Sequence, residues 1–173
     1  MKKDVLVVDG YNMIGAWPEL VKLKDRGLIE DARDRLLTIL SNYQTYEGVT
    51  VWVVFDAQFV PGITKEYTRY KVKVVFTSQG ETADTYIEGI VDKLKNVLTE
   101  VTVATSDLAE QQLVFAKGAN RMSAQDLFIE IKRSKNHQDH VSHQNHHHTS
   151  RRKRGTLSEE QLNQLKVLRD ELN

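Results

Sequence analysis

Short apolar runs alternate along the chain with longer segments in which apolar residues recur every three or four positions. The short runs are rich in β-branched residues and predict buried strands at 5–8, 49–55, 72–76 and 101–104. The longer segments predict amphipathic helices at 29–46, 82–98, 108–117 and 123–132. Because strands alternate with helices, we expect an α/β fold whose central parallel sheet of about four or five strands is covered on both faces by helices.

Charge separates the two ends of the chain, although its 24 Lys/Arg and 24 Asp/Glu cancel overall. Residues 1–131 contain 15 Lys/Arg and 19 Asp/Glu, whereas residues 132–173 contain 9 and 5. All six histidines also lie in the basic part, which has too few apolar residues to bury much surface. We therefore predict a folded domain over 1–134, a flexible basic, histidine-rich segment over 135–156, and a C-terminal helix over 157–173, which Ser158 caps.

Composition excludes several classes of protein. The chain has no cysteine, so disulfides, thiolate metal sites and cysteine nucleophiles are ruled out. It contains no apolar run near the roughly 20 residues needed to cross a bilayer, and its N-terminal apolar run is too short for a signal peptide. It also lacks a glycine-rich loop ending in Gly-Lys-Ser/Thr, the usual phosphate-binding motif. We expect a cytoplasmic protein without a membrane partner.

Carboxylates follow the predicted strands. Asp9, Asp56 and Asp107 come directly after three of them, and Glu81 and Asp84 lie where the helix after the third strand begins. In a parallel sheet, all of these positions lie at one edge. Carboxylates that lie close together repel one another, and Mg²⁺ or Mn²⁺ relieves that repulsion because such ions prefer oxygen ligands. A cation held in this way can activate water for displacement at a phosphate, which is nuclease chemistry.

Polar side chains near these acids are candidates for orienting ligands or water: Asn12, Thr82, Ser106 and, with less support, Asp56. Each acid taken singly also fits an ordinary turn or helix cap. Two other phosphate-handling folds fit poorly. A receiver domain needs adjacent acids after its first strand, where this chain has Gly10, and a dehalogenase-type phosphatase needs a second aspartate where it has Tyr11.

Three motifs carry a family resemblance. They are Val-Val-Asp-Gly-Tyr-Asn at 7–12, Gly-Glu-Thr-Ala-Asp at 80–84 and Ala-Thr-Ser-Asp at 104–107. In this order they resemble the motifs of NYN domains, a branch of the PIN-like nuclease superfamily. The chain is most similar to the bacterial YacP-like proteins, described as ribosome-associated endoribonucleases that cut mRNA during translation. The resemblance covers roughly residues 4–133 and extends to the terminal helix.

The resemblance implies an endoribonuclease that depends on Mg²⁺ or Mn²⁺ and acts as a monomer on mRNA at the ribosome. Asp9, Asp84 and Asp107 match the acidic metal site of the family, and Glu81 matches an acidic position that assists catalysis. Asn12 matches the polar residue that shapes the site. The histidine-rich segment matches no family motif.

Basic residues outside the acidic motifs are candidates for RNA contact. One group, Lys65, Arg69 and Lys71, has tyrosines between its members that are able to stack on bases. A solvated edge strand protected by charge explains that group equally well. The second group is Arg151, Arg152, Lys153 and Arg154, which suits phosphate contacts with ribosomal RNA or is a solubilising linker.

Two other functions remain open from the sequence. One is a non-catalytic RNA- or ribosome-binding module with a degenerate acidic pocket. The other is a metal-dependent phosphohydrolase that acts on small substrates. Divalent cation binding between the acids separates the enzyme from the binding module. An open groove flanked by basic residues favours RNA, and a closed pocket favours a small substrate.

Overall fold

A five-stranded parallel sheet organises the protein, seen here in a computed structural model that describes residues 1–59 and 70–153. For Phe59 and for residues 143–153 it describes the backbone only. The strand order in the sheet is β3-β2-β1-β4-β5, and all neighbouring strands are parallel. The strands are β1 (Lys3–Asp9), β2 (Thr50–Phe55), β3 (Lys73–Phe76), β4 (Thr99–Ala104) and β5 (Asn120–Met122). The predicted α/β fold with a parallel sheet is confirmed.

Helices cover both faces of the sheet, as predicted. Leu6 and Val8 of the central strand face one hydrophobic cluster, and Val5 and Val7 face the other. Period-two alternation along a strand explains this division of one continuous apolar run between two cores. The helices are α1 (Gly10–Ala16), α2 (Pro18–Asp25), α3 (Ile29–Glu47), α4 (Ala83–Leu94), α5 (Leu108–Ala116) and α6 (Ala124–Lys153). The first cluster contains side chains of α1, α2, α3 and α6, and the second contains side chains of α4 and α5.

Gly10, at the junction of β1 and α1, packs directly against the core. A Cβ atom at Gly10 would overlap the ring of Phe55, so only glycine fits this position without rearrangement. Tyr11 lies edge-on to Phe55, and Phe55 stacks on Phe76. The aromatic packing therefore holds the end of the central strand against its neighbours.

Three elements of the structure are not predicted by the periodicity of the sequence. Helix α1 has seven residues, helix α2 has eight and begins with Pro18, and β5 has three. Elements this short contain too few apolar positions for a period to emerge. Their stability comes from tertiary packing, such as the hydrogen bond from the Trp17 indole nitrogen to the Ala124 carbonyl at 2.9 Å.

Two helix ends differ from the prediction. Helix α4 ends at Leu94, before the predicted 98, because the Asn96 carboxamide accepts a hydrogen bond from the backbone of Leu98 at 2.8 Å and favours a turn. The predicted end of the sixth helix near Lys132 is also wrong, because α6 continues to Lys153. That stretch has no glycine or proline, and the packed first turns supply the helix nucleus.

The chain divides into two units, Met1–Ser134 and Lys135–Asn173. The second unit contains the later part of α6, and the predicted C-terminal helix at 157–173 lies outside the described residues. In the described part of the chain, no helix combines the length and apolar character that crossing a membrane requires.

Candidate metal centre

Three carboxylates meet at the carboxyl edge of the sheet. Asp9, Asp84 and Glu110 each offer one oxygen, and these oxygens all lie within 4.8 Å of one another. They come from the end of β1, the first turn of α4 and the first turn of α5. Three elements far apart in sequence thus place acids at a single point.

Asp9 is the most constrained of the three. It is buried, it is the N-cap of α1, and its carboxylate accepts hydrogen bonds from the backbone and side-chain nitrogens of Asn12, both at 3.3 Å. Burial is the main cause that raises the pKa of Asp9 to about 6, and the charges of Asp84 and Asp56 add to it. The Asn12 hydrogen bonds act in the opposite direction because they favour the ionised form.

Glu110 is buried with little compensation for its charge. Its exposed fraction is 3%, and neither carboxylate oxygen has a hydrogen-bond partner among the described residues. Burial chiefly raises the pKa of Glu110 to about 8, and the charges of Asp9 and Asp84 raise it further, whereas the nearby Thr105 side chain lowers it. A buried, unpartnered carboxylate is costly to keep ionised, and a cation bound by these acids would remove that cost.

Asp84 is half-buried in the first turn of α4. The N-cap residue of this helix is Thr82, whose hydroxyl accepts a hydrogen bond from the backbone nitrogen of Thr85 at 3.2 Å. Thr82, which the sequence suggests as a residue that orients ligands or water, therefore stabilises the helix end that carries Asp84. Its hydroxyl is hydrogen-bonded to the helix backbone.

Asn12 joins the ends of the first and fourth strands. Its carboxamide oxygen accepts a hydrogen bond from the backbone of Ser106 at 2.8 Å, and its nitrogen donates to Asp9. These strands are adjacent at the point where the strand order reverses, which is where α/β sheets usually bind ligands. Ser106 takes part through its backbone, while its side chain belongs to an exposed residue.

The other predicted acids lie outside this cluster. Asp107 is exposed and caps α5, accepting hydrogen bonds from the backbones of Ala109 at 2.8 Å and Glu110 at 3.3 Å. Glu81 is half-buried and accepts from the backbone of Ser78 at 3.4 Å. Asp56 is buried at the end of β2, where it accepts from the backbone of Gln58 at 2.9 Å.

Glu110 takes a place that sequence reasoning assigned to Asp107. It lies three residues after that aspartate, at the position where a glutamate often reaches back toward a helix cap. That spacing was visible in Thr-Ser-Asp-Leu-Ala-Glu at 105–110 and was the available signal. The roles assigned to Asp107 and Glu81 stay predictions.

The predicted RNA-contact residues fall largely outside the described side chains. Lys71 is exposed, and its carbonyl accepts a hydrogen bond from the Gln44 side chain at 3.0 Å. Lys65, Arg69 and Arg154 lie outside the described residues. Arg151, Arg152 and Lys153 belong to the last turn of α6, for which the backbone alone is described.

The donor set suits a hard divalent cation. All three groups are carboxylates, with no histidine or thiolate to favour a softer metal. The unpartnered oxygens of Glu110 and the raised pKa of Asp9 are both features that a bound cation would relieve.

Comparison with known proteins gives one consistent relationship. A family model described as YacP-like NYN domain matches residues 6–170. The protein YacP of Bacillus subtilis strain 168, described as uncharacterized, is 49% identical over 128 residues, which cover 74% of this chain and 75% of YacP.

Solved structures agree with that relationship. The crystal structure of Rae1 (YacP) from Bacillus subtilis is 43% identical, covers 96% of this chain and 95% of its own, and superposes with a TM-score of 0.73. A structure of a point variant of that protein is 44% identical, covers 78% and 77% of the two chains, and has a TM-score of 0.68.

Proposed function

The chain belongs to the YacP-like NYN domain family, and we propose that it is a metal-dependent endoribonuclease that cleaves mRNA in association with the translating ribosome. NYN domains form part of a nuclease superfamily, so a nuclease-family function follows from membership. The specific substrate, the ribosome and the identity of the metal belong to the proposal.

The convergence of Asp9, Asp84 and Glu110 is the observation that carries the proposal. Two of these carboxylates are buried, and all three offer oxygens to one point at the strand-order reversal. Structural capping explains a single acid at a strand end, but it does not explain why a glutamate is buried beside two other carboxylates. Repulsion within such a group is tolerated where a cation binds.

We propose that Asp9, Asp84 and Glu110 hold Mg²⁺ or Mn²⁺. The bound cation would supply positive charge against the scissile phosphate and favour ionisation of a water nucleophile. The chain's own contribution is positional. Asn12 fixes the Asp9 carboxylate and ties it to the loop that leads to Glu110, and the positive ends of the α4 and α5 dipoles face the same edge.

Asp107, Glu81 and Asp56 keep supporting roles in this proposal. Asp107 holds the start of α5, and with it Glu110, in place through its cap. Glu81 assists from the turn before α4, and the charge of Asp56 adds to the negative potential at Asp9.

The proposed substrate and location rest on family membership together with the charge of the tail. Residues 1–134 form the nuclease domain, and the basic residues from Lys132 to Arg154 provide phosphate contacts with ribosomal RNA or mRNA. Lys65, Arg69 and Lys71 form a second proposed RNA contact. The protein would act in the cytoplasm as a monomer.

A translating extract tests the proposal. Wild type and Asp84→Asn are compared on one reporter mRNA with ribosomes active, stalled or removed. In a separate assay on RNA without ribosomes, Mg²⁺ is present, removed by a chelator, or replaced by Mn²⁺. Cuts that require Asp84, divalent cation and active translation support it in full. Asp84-dependent cuts in naked RNA retain the nuclease and reject the ribosome requirement. Absence of cuts under every condition, from protein shown to be folded, rejects the enzyme in favour of an RNA-binding module.

A further inference from the structure

The solvent-facing side of helix α5 differs in composition from an ordinary surface helix. Glu110 is the only charged residue between Leu108 and Ala116, and it is buried in the carboxylate cluster. The exposed side chains of this fully described helix are therefore apolar or amides, whereas its neighbour α4 has Asp92 and Lys93 exposed. Surface helices normally present charged and polar residues to solvent. The uncharged outer side of α5 is the composition of a contact surface.

Two large apolar side chains lie on this side of α5. Leu108 and Phe115 are 71% and 60% exposed. They are close to two helical turns apart, so they share one side of the helix at a separation of about 10 Å along its axis. The exposed amide of Gln112 lies between them, and we call these three residues the α5 ridge. The ridge begins next to Asp107 on the helix that supplies Glu110 to the cluster, so one end of it lies beside the proposed metal centre.

A cation lies at the other end of the α5 ridge. The guanidinium of Arg121 lies over the Phe115 ring, 5.0 Å from its centre. Arg121 belongs to the edge strand β5, where it pairs with Val103 of β4, and it is exposed. Unpaired nucleobases stack on aromatic rings and on arginine planes, and the arginine also attracts phosphate. The pair therefore has the chemistry of a base-stacking site.

Charge and size favour a nucleic acid strand over a protein on the α5 ridge. Residues 1–131 contain 15 Lys/Arg and 19 Asp/Glu, so the folded domain as a whole repels phosphate. The ridge has no carboxylate and has Arg121 beside it, so a polyanion reaches the cluster along it at a lower electrostatic cost. A stable protein interface takes about 20–30 residues from each partner, which is far more than this narrow ridge offers.

We propose that the α5 ridge binds single-stranded RNA, with one base stacked on Phe115, a flanking phosphate on Arg121, and the strand passing Leu108 toward the carboxylate cluster. The identity of the ligand rests on the proposed function, because the ridge would hold the substrate strand beside the metal centre. Every base has a face that stacks, so the ridge adds affinity without reading sequence.

Binding of a fluorescently labelled oligoadenosine RNA, followed by anisotropy, tests the proposal. The full-length Asp84→Asn protein is the background, so that the RNA stays uncut during the titration. Phe115→Ala removes the ring, Phe115→Leu keeps apolar volume without an aromatic face, and Phe115→Trp keeps an aromatic face. Phe115 is largely exposed, so these changes leave the core intact, and thermal unfolding verifies that each variant is folded. An abasic ribose-phosphate strand of equal length separates base stacking from charge.

Two matched controls make the same kinds of change elsewhere. Ile129→Ala removes an apolar side chain that is 50% exposed on α6. Lys2→Gln removes an exposed cation just before β1, at the opposite end of that strand from Asp9, and is compared with Arg121→Gln.

Phe115→Ala and Phe115→Leu should each weaken binding of oligoadenosine about tenfold, as expected for the loss of one base–aromatic stack, whereas Phe115→Trp should retain affinity. Oligoadenosine should quench the indole emission of Phe115→Trp, and the abasic strand should not. Arg121→Gln should lower the slope of log affinity against log salt by about 0.7, the value for one phosphate contact on a single strand. Both controls should leave affinity and slope unchanged.

Full affinity in Phe115→Leu together with loss in Phe115→Ala would mean an apolar contact without stacking and would overturn the proposal. Equal weakening by Ile129→Ala, RNA binding that is indifferent to Phe115, or no RNA binding would also overturn it. Loss of self-association in Phe115→Ala with unchanged RNA affinity would assign the ridge to a protein interface instead.

The outcome for the nuclease is separate. Cleavage by wild type that is unaffected in KM by Phe115→Ala rejects the ridge and retains the enzyme. RNA binding through Phe115 by a wild-type protein that never cuts RNA rejects the enzyme and retains the ridge.

Discussion

The first and fourth strands both lead into an aspartate that caps the following helix, yet the two aspartates have different surroundings. Asp9 caps α1 and is buried within the carboxylate cluster. Asp107 caps α5 and is exposed, and the carboxylate that reaches the cluster from this side is Glu110, one turn further along. The N-cap and the third helical residue are both common positions for acids, so helix capping alone does not distinguish them.

Burial separates the two positions. Asp9 ends the central strand, which has a neighbour on each side and helices on both faces, so its carboxylate loses water when the chain folds. Glu110 is buried in the same way, whereas Asp107 remains in solvent and is satisfied by backbone nitrogens. Burial of the carboxylate, rather than its position in the chain, therefore distinguishes Asp9 and Glu110 from Asp107.

Replacing Asp9 should have the largest effect. We expect Asp9→Asn to abolish RNA cleavage while preserving the fold, because asparagine still caps α1 but lacks the charge that holds a cation. Cleavage of a labelled RNA by the purified variant, with circular dichroism to verify folding, measures this. Wild-type cleavage by a folded Asp9→Asn protein would remove Asp9 from the metal site.

Glu110→Gln and Asp107→Asn form a matched pair that tests the comparison directly. Glu110→Gln should lower kcat/KM by about 100-fold, as expected for loss of a charged group at the metal. Asp107→Asn should change it by about threefold or less, because asparagine is nearly equivalent as an N-cap.

The opposite ranking in that pair would support the sequence prediction, with Asp107 as the ligand and Glu110 as a structural residue. Equal large losses would mean that the α5 cap and the ligand act as one unit. Steady-state cleavage at several Mn²⁺ concentrations separates weakened metal binding from a slower chemical step.

Asn12→Ala should have an intermediate effect, lowering cleavage about tenfold, because residues that orient metal ligands typically contribute 10–100-fold. The variant removes the side-chain bonds to Asp9 and to the Ser106 backbone. Ser106→Ala is its control, since the backbone donor survives and activity should remain within about twofold of wild type. A larger loss in Ser106→Ala would instead support the predicted direct role of that hydroxyl.

The smallest expected effect is on stability. Burial raises the pKa of Glu110 from 4.5 to about 8, so the folded state retains a proton that the unfolded state loses as the pH rises. Without metal, the free energy of unfolding should therefore fall between about pH 4.5 and pH 8 and level off above that. Ionisation of Asp9 adds a smaller decrease in the free energy of unfolding between about pH 4 and pH 6.

Removal of the ionisable group should flatten this pH dependence. At pH 8 and in the absence of divalent cation, we expect Glu110→Gln to melt about 3–8 °C above wild type. Mg²⁺ should stabilise wild type more than the variant, because it binds the ionised folded state. Melting curves from pH 5 to 9, with and without Mg²⁺, measure both effects. A wild-type melting temperature that increases over this pH range would contradict the assigned direction.

Periodicity was sufficient to predict the layers of the fold. Runs such as Val5–Val8 are apolar on both sides, which is the pattern of a parallel strand between two helical layers, and Gly48 ends α3 in the left-handed conformation expected of a closing glycine. Short elements such as β5 could not be predicted from periodicity, because their stability derives from contacts with residues distant in sequence.

The candidate site was predictable in position but not in full membership. The strand ends predict Asp9 and the motif at 80–84 predicts Asp84, and both residues belong to the carboxylate cluster. The choice between Asp107 and Glu110 depends on which carboxylate points toward solvent, and neither spacing nor composition contains that information. Similarly, low hydrophobicity after Lys132 indicated a flexible segment, whereas backbone hydrogen bonding alone allows a helix to continue there.

The strand order has a consequence for how the protein folds while it is being synthesised. The carboxylates of the cluster lie at positions 9, 84 and 110, and β1 acquires its second neighbour only when β4, residues 99–104, has been synthesised. Chains fold as they emerge during synthesis, so a nascent chain holds an incomplete set of ligands until well past its midpoint. If the proposed centre cleaves mRNA, a ribosome that is making this protein should carry it in an inactive form for most of elongation, and that nascent chain should leave its own message uncut over that time.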